Sequence, residues 1–352
     1  VFVIIHSSFA IIVIVTMFSF NKLLSVLLSM LLVLSSSDAH ESRSCLTKDP
    51  TTEEANSVQM AIESWSKINS LEEKRDGNHN IMVVWHMAMS ADGTLGEVSE
   101  HNLDLSMRKL NEAFAPIFKF YLDDTIKYFN DTLFEIISSR NVRSELNIRV
   151  GDSTTLNVYS ANYGGWNSGI RGQATFPWDY TSDPGGDGAT VSVHTLPGGA
   201  NPNFNDGGIL VHEVGHWLGL LHTFSGLCGP PNDYVEDTPP IAFLYGREGT
   251  TCLEKGEQYC ANDDRPELIE NYMDETECKE SFTPGQLSRM ETIWWVCRVQ
   301  ADESNCIEDI NGVGVTDEND DDDDDNKINE NINKKTKKRS KKALKSKSQK
   351  QK

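Results

Sequence analysis

The segment HEVGHWLGLLH at residues 212–222 decides the fold and the chemistry of this 352-residue chain. Its first two histidines, His212 and His216, are four residues apart, so on a helix they share one face and can bind the same metal ion. Glu213 is one step round the helix, where it can take a proton from a water that the ion activates. Gly219 can adopt the positive φ that ends the helix and returns His222 to the metal. Three imidazoles with an open fourth position are typical of a catalytic zinc site.

A chance match and a structural metal site are the alternatives to a catalytic site. The five-residue pattern HExxH occurs by chance on polar helix faces, whereas residues 212–222 match the eleven-residue form HExxHxxGxxH. Structural zinc sites are usually closed by four protein ligands and are often rich in thiolates. The spacing therefore favours a catalytic site that binds one Zn²⁺ ion.

Hydrophobic periodicity around this segment predicts a mixture of strands and helices. Strands are predicted at 81–89, 117–122, 156–159 and 189–195, and helices at 103–114, 133–146, 206–218 and 283–298. The glycines and proline of residues 164–177 predict loops.

Three segments together resemble the pappalysin branch of the metzincins, in particular its small secreted members. They are residues 212–224, the sequence DYVEDTP at 233–239 and the sequence NYMD at 271–274. The resemblance extends over roughly residues 80–298. It implies an α+β catalytic domain of the zincin type, with a twisted mixed sheet and helices in an upper lobe and an irregular, disulfide-tied lower lobe. It also implies that Met273 occupies a tight turn beneath the metal.

The same resemblance implies where the substrate lies. In such folds the last strand before the active-site helix lines the cleft and pairs with an extended peptide. Residues 189–195 are the segment predicted to do so here, as an edge strand of the sheet.

The chain has seven cysteines, and an exported protein pairs most of its cysteines. Sequence alone leaves the pairing open, and the resemblance implies the disulfides Cys228–Cys260 and Cys252–Cys278. Cys297 and Cys306 are close enough in the chain to pair with each other.

Cys45 is the cysteine left over, and two interpretations of it remain open. Relatives of this branch can keep a cysteine in the prosegment, whose thiolate caps the zinc until the prosegment is removed. A thiolate is a strong zinc ligand and would displace the catalytic water. The alternative is a disulfide between Cys45 and either Cys297 or Cys306.

The loop after the third histidine is a candidate calcium site by resemblance. Asp233, Asp237 and Thr238 offer the hard oxygen ligands that Ca²⁺ prefers. The alternative is a solvated acidic loop.

The turn after Met273 departs from the family pattern. A tyrosine usually stands two residues after the methionine, where it helps to stabilise the tetrahedral intermediate, but here the residue is Glu275. A carboxylate donates no hydrogen bond unless it is protonated, so turnover is expected to be reduced or another donor recruited. An acidic residue in this region would favour Arg or Lys on the primed side of the cut, and Glu277 is the candidate.

Four regions are predicted along the chain. A charged Lys22, an apolar run at 23–34 and small residues ending at Ala39 predict a signal peptide over residues 1–39, with a membrane anchor as the alternative. Because the sequence begins with Val1, residues 1–16 are also consistent with translated upstream sequence. Residues 40–76 are the predicted prosegment, ending at an exposed Lys74-Arg75 joint. The catalytic domain follows at 77–300, and the charged stretch 301–352 is predicted to be a disordered tail.

The overall charge constrains the partners. A net charge of −21 disfavours binding to nucleic acid and to anionic membranes. We therefore expect polypeptide substrates, no membrane association after signal removal, and a monomer. The predicted function is a secreted zinc-dependent endopeptidase with Glu213 as general base. The alternative is a catalytically impaired relative that acts as a secreted binding protein, although all three histidines and Glu213 are intact.

Overall fold

A five-stranded mixed sheet forms the centre of the fold. The computed structural model describes residues 45–69, 78–165, 169–241, 260, 265 and 268–301. The strand order is β2-β1-β3-β5-β4, in which β4 alone runs antiparallel to its neighbour. The strands are β1 His79–Met89, β2 Phe118–Phe129, β3 Leu156–Ala161, β4 Gly172–Ala174 and β5 Ala189–Ser192.

Six α-helices are present in the described part of the chain. They are α1 Thr52–Asn69, α2 Glu100–Ala113, α3 Asp131–Ile136, α4 Arg140–Leu146, α5 Gly208–Trp217 and α6 Pro284–Ile293, and a π-helical turn at Trp294–Val299 continues α6. Helix α6 begins with a capping box, in which Thr283 and Gln286 satisfy each other's backbone amides. None of the described helices has the length and apolarity that a bilayer crossing requires.

Most of the predicted elements are confirmed, although the strand predicted at 117–122 continues to Phe129 and three further segments differ. The predicted helix 133–146 is two helices, because the side chains of Asn130 and Ser139 cap separate amino termini. The strand predicted at 189–195 ends at Ser192 and continues as a 3₁₀ turn. Strand β4 lies in the stretch predicted to be loop, and its three residues carry no alternation from which it could be recognised.

The two faces of the sheet pack against different helices. On one face Val158 of β3 belongs to the main core, which also contains residues of α2 and α5. Tyr159, the next residue, belongs to a second cluster with Phe134 of α3, because successive strand residues point to opposite faces. Every residue of α5 is buried, so this helix is fixed along its whole length.

Asp187 holds the end of α5 against the C-terminal turn. Its carboxylate is buried and accepts hydrogen bonds from Arg298 Nη1 at 2.8 Å, Thr175 Oγ1 at 2.9 Å and Trp217 Nε1 at 3.2 Å. Arg298 also donates to the backbone oxygen of Trp217, the last residue of α5. A buried charge needs such partners because its desolvation is costly.

Removal of the Asp187 carboxylate should therefore be strongly destabilising. We expect Asp187→Ala to lower the free energy of unfolding by about 3–5 kcal/mol, since it leaves Arg298 buried without its partner. Urea denaturation measures this change. The matched control is Glu97→Ala, which breaks the exposed pair with Lys127 and should cost about 0–1 kcal/mol. Equal losses of unfolding free energy in the two variants would contradict the stabilising role of the Asp187 carboxylate.

Candidate active site

Helix α5 and the turn after it bring His212, His216 and His222 together. The Nε2 atom of His216 lies 3.1 Å from that of His212 and 3.2 Å from that of His222, and all three side chains are buried. Gly219 has φ +98°, which ends the helix and allows the chain to turn back. The spacing that predicted one shared site thus corresponds to three converging imidazoles.

Backbone contacts at the outer nitrogens, Nδ1, determine that the Nε2 nitrogens of these imidazoles face one another. His212 Nδ1 lies 2.6 Å from the backbone oxygen of Tyr272, and His216 Nδ1 lies 2.7 Å from that of Leu220. A carbonyl oxygen only accepts hydrogen bonds, so in both rings Nδ1 carries the proton and Nε2 carries a lone pair. Burial lowers the pKa of His212 and of His216 well below the usual range, which keeps both rings neutral.

The donor set fits a zinc ion. Neutral imidazole nitrogens at tetrahedral zinc lie about 2.0–2.1 Å from the metal, which places them roughly 3.3–3.4 Å from one another. The observed separations of 3.1 and 3.2 Å are close to this. Cys45 Sγ completes a group of four ligand atoms that all lie within 4.8 Å of one another.

Glu213 is enclosed beside the histidines. It is fully buried, and burial raises the pKa of its carboxyl group to about 8. A Cβ atom at residue 172 would overlap the Glu213 carboxylate, so the close approach of β4 to the predicted general base requires Gly172. The Oε1 atom of Glu213 has no hydrogen-bond partner among the described residues.

Met273 lies beneath the active-site helix, where the resemblance places it. The side chain is fully buried, and a Cβ atom at residue 215 would overlap its sulfur, so Gly215 allows the close contact. Asn271 shapes the turn by accepting a hydrogen bond from the backbone amide of Met273 at 2.9 Å. The turn also supplies the Tyr272 carbonyl that orients His212.

The predicted prosegment crosses the site in extended form. Cys45 is a free, buried cysteine that forms a parallel bridge with Gly172 of β4, and its thiol lies 3.6 Å from Glu213 Oε2. Burial, reinforced by the negative charges of Glu213 and Glu275, raises the pKa of this thiol. A divalent cation at the histidines would favour the thiolate instead. The alternative prediction, a disulfide between Cys45 and either Cys297 or Cys306, is wrong because Cys45 is a free cysteine.

Two further residues of the predicted prosegment contact the predicted catalytic groups, and no sequence pattern indicated either contact. The hydroxyl of Thr47 donates to Glu213 Oε2 at 3.2 Å and accepts from the backbone amide of Ala174 at 2.8 Å. Asp49 Oδ1 lies 3.1 Å from His222 Nδ1, the outer nitrogen of the third histidine. Short polar residues in a polar segment carry no pattern that distinguishes such contacts.

The edge of the sheet next to the site is β4, which corrects a prediction. The segment 189–195 was expected to be the edge strand that binds substrate. Strand β5 instead pairs with β3 on one side and with β4 on the other, so its backbone is already occupied. The predicted prosegment pairs with β4, with the Leu46 amide donating to the Gly172 carbonyl at 2.9 Å.

The three residues predicted to bind calcium do not converge as one set. Thr238 Oγ1 donates to Asp233 Oδ1 at 2.6 Å, and Asp233 Oδ2 is buried without a hydrogen-bond partner among the described residues. Burial raises the pKa of Asp233 to about 7. The Asp237 carboxylate instead accepts from Thr283 Oγ1 and from the Gly285 amide at the start of α6.

Of the two glutamates after Met273, Glu275 is the one that lies beside the three histidines. It is buried, and its Oε1 lies 3.9 Å from His222 Nε2. Burial raises the pKa of Glu275, against the lowering effects of Lys279, His222 and Arg171. Glu277, the candidate specificity residue, is half-buried.

One predicted disulfide is present in full. Cys228 and Cys260 are bonded, with their Cα atoms 5.3 Å apart. Cys278 and Cys297 are each in a disulfide. Their predicted partners Cys252 and Cys306 lie outside the described residues.

Comparison with known sequences agrees with this geometry. A family model of the M43 peptidases, described as pregnancy-associated plasma protein-A, matches residues 155–294. An extracellular metalloprotease of Pyricularia oryzae is 32% identical over 257 residues, which cover 71% of this chain and 88% of that protein. The chain belongs to the M43, or pappalysin, family of metzincin peptidases. An extracellular metalloprotease of Colletotrichum graminicola is also 32% identical, over 281 residues that cover 74% of this chain and 94% of that one.

A solved structure shares the fold. A promirolysin variant of Tannerella forsythia superposes with a TM-score of 0.57 at 20% identity, covering 76% of this chain and 97% of its own. The predicted metzincin-type α+β fold is therefore confirmed. Membership of the M43 family makes the chain a zinc metalloendopeptidase, a hydrolase of peptide bonds, as predicted.

The approach of Gly172 to Glu213 generates a test of the site. We expect Gly172→Ala to lower kcat/KM by about a hundredfold or more, because the added methyl group displaces the general base and a misplacement of about 1 Å can have that effect. Zinc content should be unchanged, since the three histidines are not touched. Peptide cleavage and metal analysis of the activated protein measure the two quantities. Gly169→Ala, whose Cβ atom would meet open space, is the control, and a similar loss in that variant would contradict the explanation.

Proposed function

We propose that this chain is exported as an inactive precursor and cleaves polypeptides at a zinc site formed by His212, His216 and His222. The observation that carries the proposal is the convergence of three Nε2 atoms beside the buried carboxylate of Glu213. A bound zinc ion would polarise the peptide carbonyl and lower the pKa of a water molecule.

In this proposal the residues of the chain have distinct tasks. Glu213 accepts the proton of the attacking water and delivers it to the leaving amine. The backbone of β4, at the edge of the sheet, pairs with an extended peptide and positions it over the histidines. Met273 supports the floor of the site, and Glu277 remains the proposed source of a preference for Arg or Lys.

We further propose that the prosegment keeps the enzyme inactive. Cys45 would coordinate the zinc ion, and Thr47 would hold Glu213 by its hydrogen bond to Oε2. The segment runs parallel to β4 at Gly172. The proposal keeps the four predicted regions, which are a signal peptide at 1–39, a prosegment at 40–76, a catalytic domain at 77–300 and a tail at 301–352. It also keeps the prediction of a monomeric protein. Residues 1–44, 70–77 and 302–352 lie outside the described residues.

A structural calcium ion is a proposal for the loop after His222. Fewer side chains support it than the sequence indicated, because the Asp237 carboxylate caps the start of α6. The buried oxygens Asp233 Oδ2 and Asn232 Oδ1 have no hydrogen-bond partner among the described residues. Oxygens of this kind are the ligands that Ca²⁺ prefers.

The catalytic proposal predicts the effect of removing the base. After limited trypsin treatment, the secreted protein should cleave a peptide substrate, and Glu213→Ala should lower kcat by at least about 10²–10⁴-fold. A metal chelator should abolish cleavage by the unmodified enzyme. Zinc binding by Glu213→Ala should persist, because the three histidines remain. A trypsin-treated protein that binds zinc and cuts nothing would favour a binding protein instead.

The latency proposal predicts activity without trypsin. We expect Cys45→Ala to cleave peptide before any proteolysis, at a rate at least about tenfold above that of the untreated parent, because the thiolate is a strong zinc ligand. Leu46→Ala changes the next, partly exposed residue and is the control. Mass spectrometry must show that residue 45 and residue 78 are still in one chain during the assay. An intact Cys45→Ala chain as inactive as the parent would refute the role of the thiol.

A further inference from the structure

The third histidine differs from the other two in what holds its outer nitrogen. His212 and His216 donate from Nδ1 to backbone oxygens of the predicted catalytic domain, at 2.6 and 2.7 Å. His222 Nδ1 instead lies 3.1 Å from Oδ1 of Asp49, which belongs to the predicted prosegment. A carboxylate only accepts hydrogen bonds, so the proton of His222 is on Nδ1 and the lone pair is on Nε2. One of the three imidazoles is thus oriented by a segment that the proposed activation removes.

The packing around His222 leaves this choice of nitrogen to Asp49. The ring of Phe224 stacks on the imidazole, with centroids 4.7 Å apart and planes 13° apart. Stacking fixes the plane of the ring, but a half-turn about the Cβ–Cγ bond keeps that plane and exchanges the two edges. The hydrogen bond to the carboxylate favours the orientation in which Nε2 faces the other histidines, 3.2 Å from that of His216. Asp49 therefore selects the orientation that can bind a metal ion.

Asp49 is held on both sides by contacts of its own segment. Two residues before it, the Thr47 hydroxyl accepts a hydrogen bond from the Ala174 amide of β4 at 2.8 Å. Two residues after it, a capping box begins α1: the Thr51 amide donates to the Glu54 carboxylate at 2.8 Å, and the Glu54 amide donates to the Thr51 hydroxyl at 3.3 Å. The carboxylate of Asp49 is therefore presented to the third histidine from a fixed position.

We propose that Asp49 is a positioning residue for the third zinc ligand, so that the precursor binds zinc more tightly than the mature enzyme and acquires the ion before activation. This inference rests on the zinc site of the proposed function. A histidine ligand of zinc usually donates its other N–H to a carboxylate or a carbonyl, which fixes the tautomer and raises the basicity of the ligand. Loss of such a partner typically weakens metal binding by about 10–100-fold.

Departure of the prosegment would change two things at the metal site. The coordination position of Cys45 would pass to water, as the proposed peptidase chemistry requires. The outer nitrogen of His222 would exchange the Asp49 carboxylate for solvent, which already reaches that side chain because it is 30% exposed. The mature enzyme would therefore retain all three imidazoles but hold one of them less firmly.

A role of Asp49 through His222 can be separated from a role through Cys45. If Asp49 only helped to seat the prosegment, its loss would weaken zinc binding by displacing the thiolate, and the effect would vanish in a chain without that thiol. Positioning of His222 acts on a different ligand, so its effect persists in the intact Cys45→Ala chain.

Zinc dissociation constants of the full-length Cys45→Ala chain, measured by competition with a chromophoric chelator, test the proposal. We expect the added substitution Asp49→Ala to weaken zinc binding by at least about tenfold. Asp49→Asn keeps an acceptor oxygen for Nδ1 and should cost only about threefold, because a neutral acceptor gives roughly half the strength of a charged one. Glu53→Ala removes an exposed carboxylate from the same segment and is the matched control without effect. The mature enzyme, separated from its prosegment after trypsin treatment, should also bind zinc at least about tenfold more weakly than the intact Cys45→Ala chain.

Each other outcome decides against one of the two proposals. The role of Asp49 is overturned if Asp49→Ala has no effect in the Cys45→Ala chain, if Asp49→Asn costs as much as Asp49→Ala, or if the mature enzyme binds zinc as tightly as the intact chain. If the Cys45→Ala chain binds no zinc, or if His212→Ala binds it as tightly as the parent, the zinc site itself fails and the proposed function fails with it.

A crystal structure of the zinc-loaded parent chain decides the matter independently, even if Asp49→Ala does not fold. We expect His222 to bind the ion through Nε2 while its Nδ1 lies about 2.7–3.2 Å from a carboxylate oxygen of Asp49. A separation of about 3.6 Å or more would overturn the proposal, because it is too long for a hydrogen bond.

Discussion

Three buried imidazoles are forced to direct their lone pairs at one another, and the structure of the site follows from this constraint. The protons of His212 and His216 are fixed on Nδ1 by the carbonyl oxygens of Tyr272 and Leu220. With the Nε2 atoms 3.1 and 3.2 Å apart, the lone pairs repel unless a cation lies between them. The backbone therefore pre-orients the imidazoles, and the affinity for metal depends on the positions of these two carbonyl groups.

The rest of the fold holds those two carbonyl groups in place. The turn at Gly219 brings Leu220 back over the end of α5, and the turn at Met273 brings Tyr272 beneath the start of that helix. The buried carboxylate of Asp187 joins the last residue of α5 to the C-terminal turn through Arg298. The metal site is thus positioned by elements that are far apart in the sequence.

The sequence predicted what depends on local pattern and missed what depends on contacts between distant segments. The three histidines and Glu213 are separated by fixed helical spacing, so their placement could be predicted. Strand β4 could not, because three residues with two small side chains become a strand only by pairing with β5. The positions of Thr47, Asp49 and Glu275 depend on how the predicted prosegment and the turn after Met273 pack across the site. For the same reason the capping role of Asp237 could not be distinguished from a calcium ligand.

Helix α1 would determine how the proposed prosegment leaves the site. Its residues Val58 and Ala61 pack with Phe176, Trp178 and Ile293, and hydrogen bonds join Gln59 to Arg289 and Asn56 to Tyr234. A cut at the Lys74-Arg75 joint would remove the covalent link but none of these contacts. The severed prosegment would then be a separate molecule bound to the enzyme, and its release would follow mass action. Activation would consequently depend on dilution: a concentrated secretion would stay inhibited by its own cleaved prosegments, and enzyme diffusing away from its source would become active.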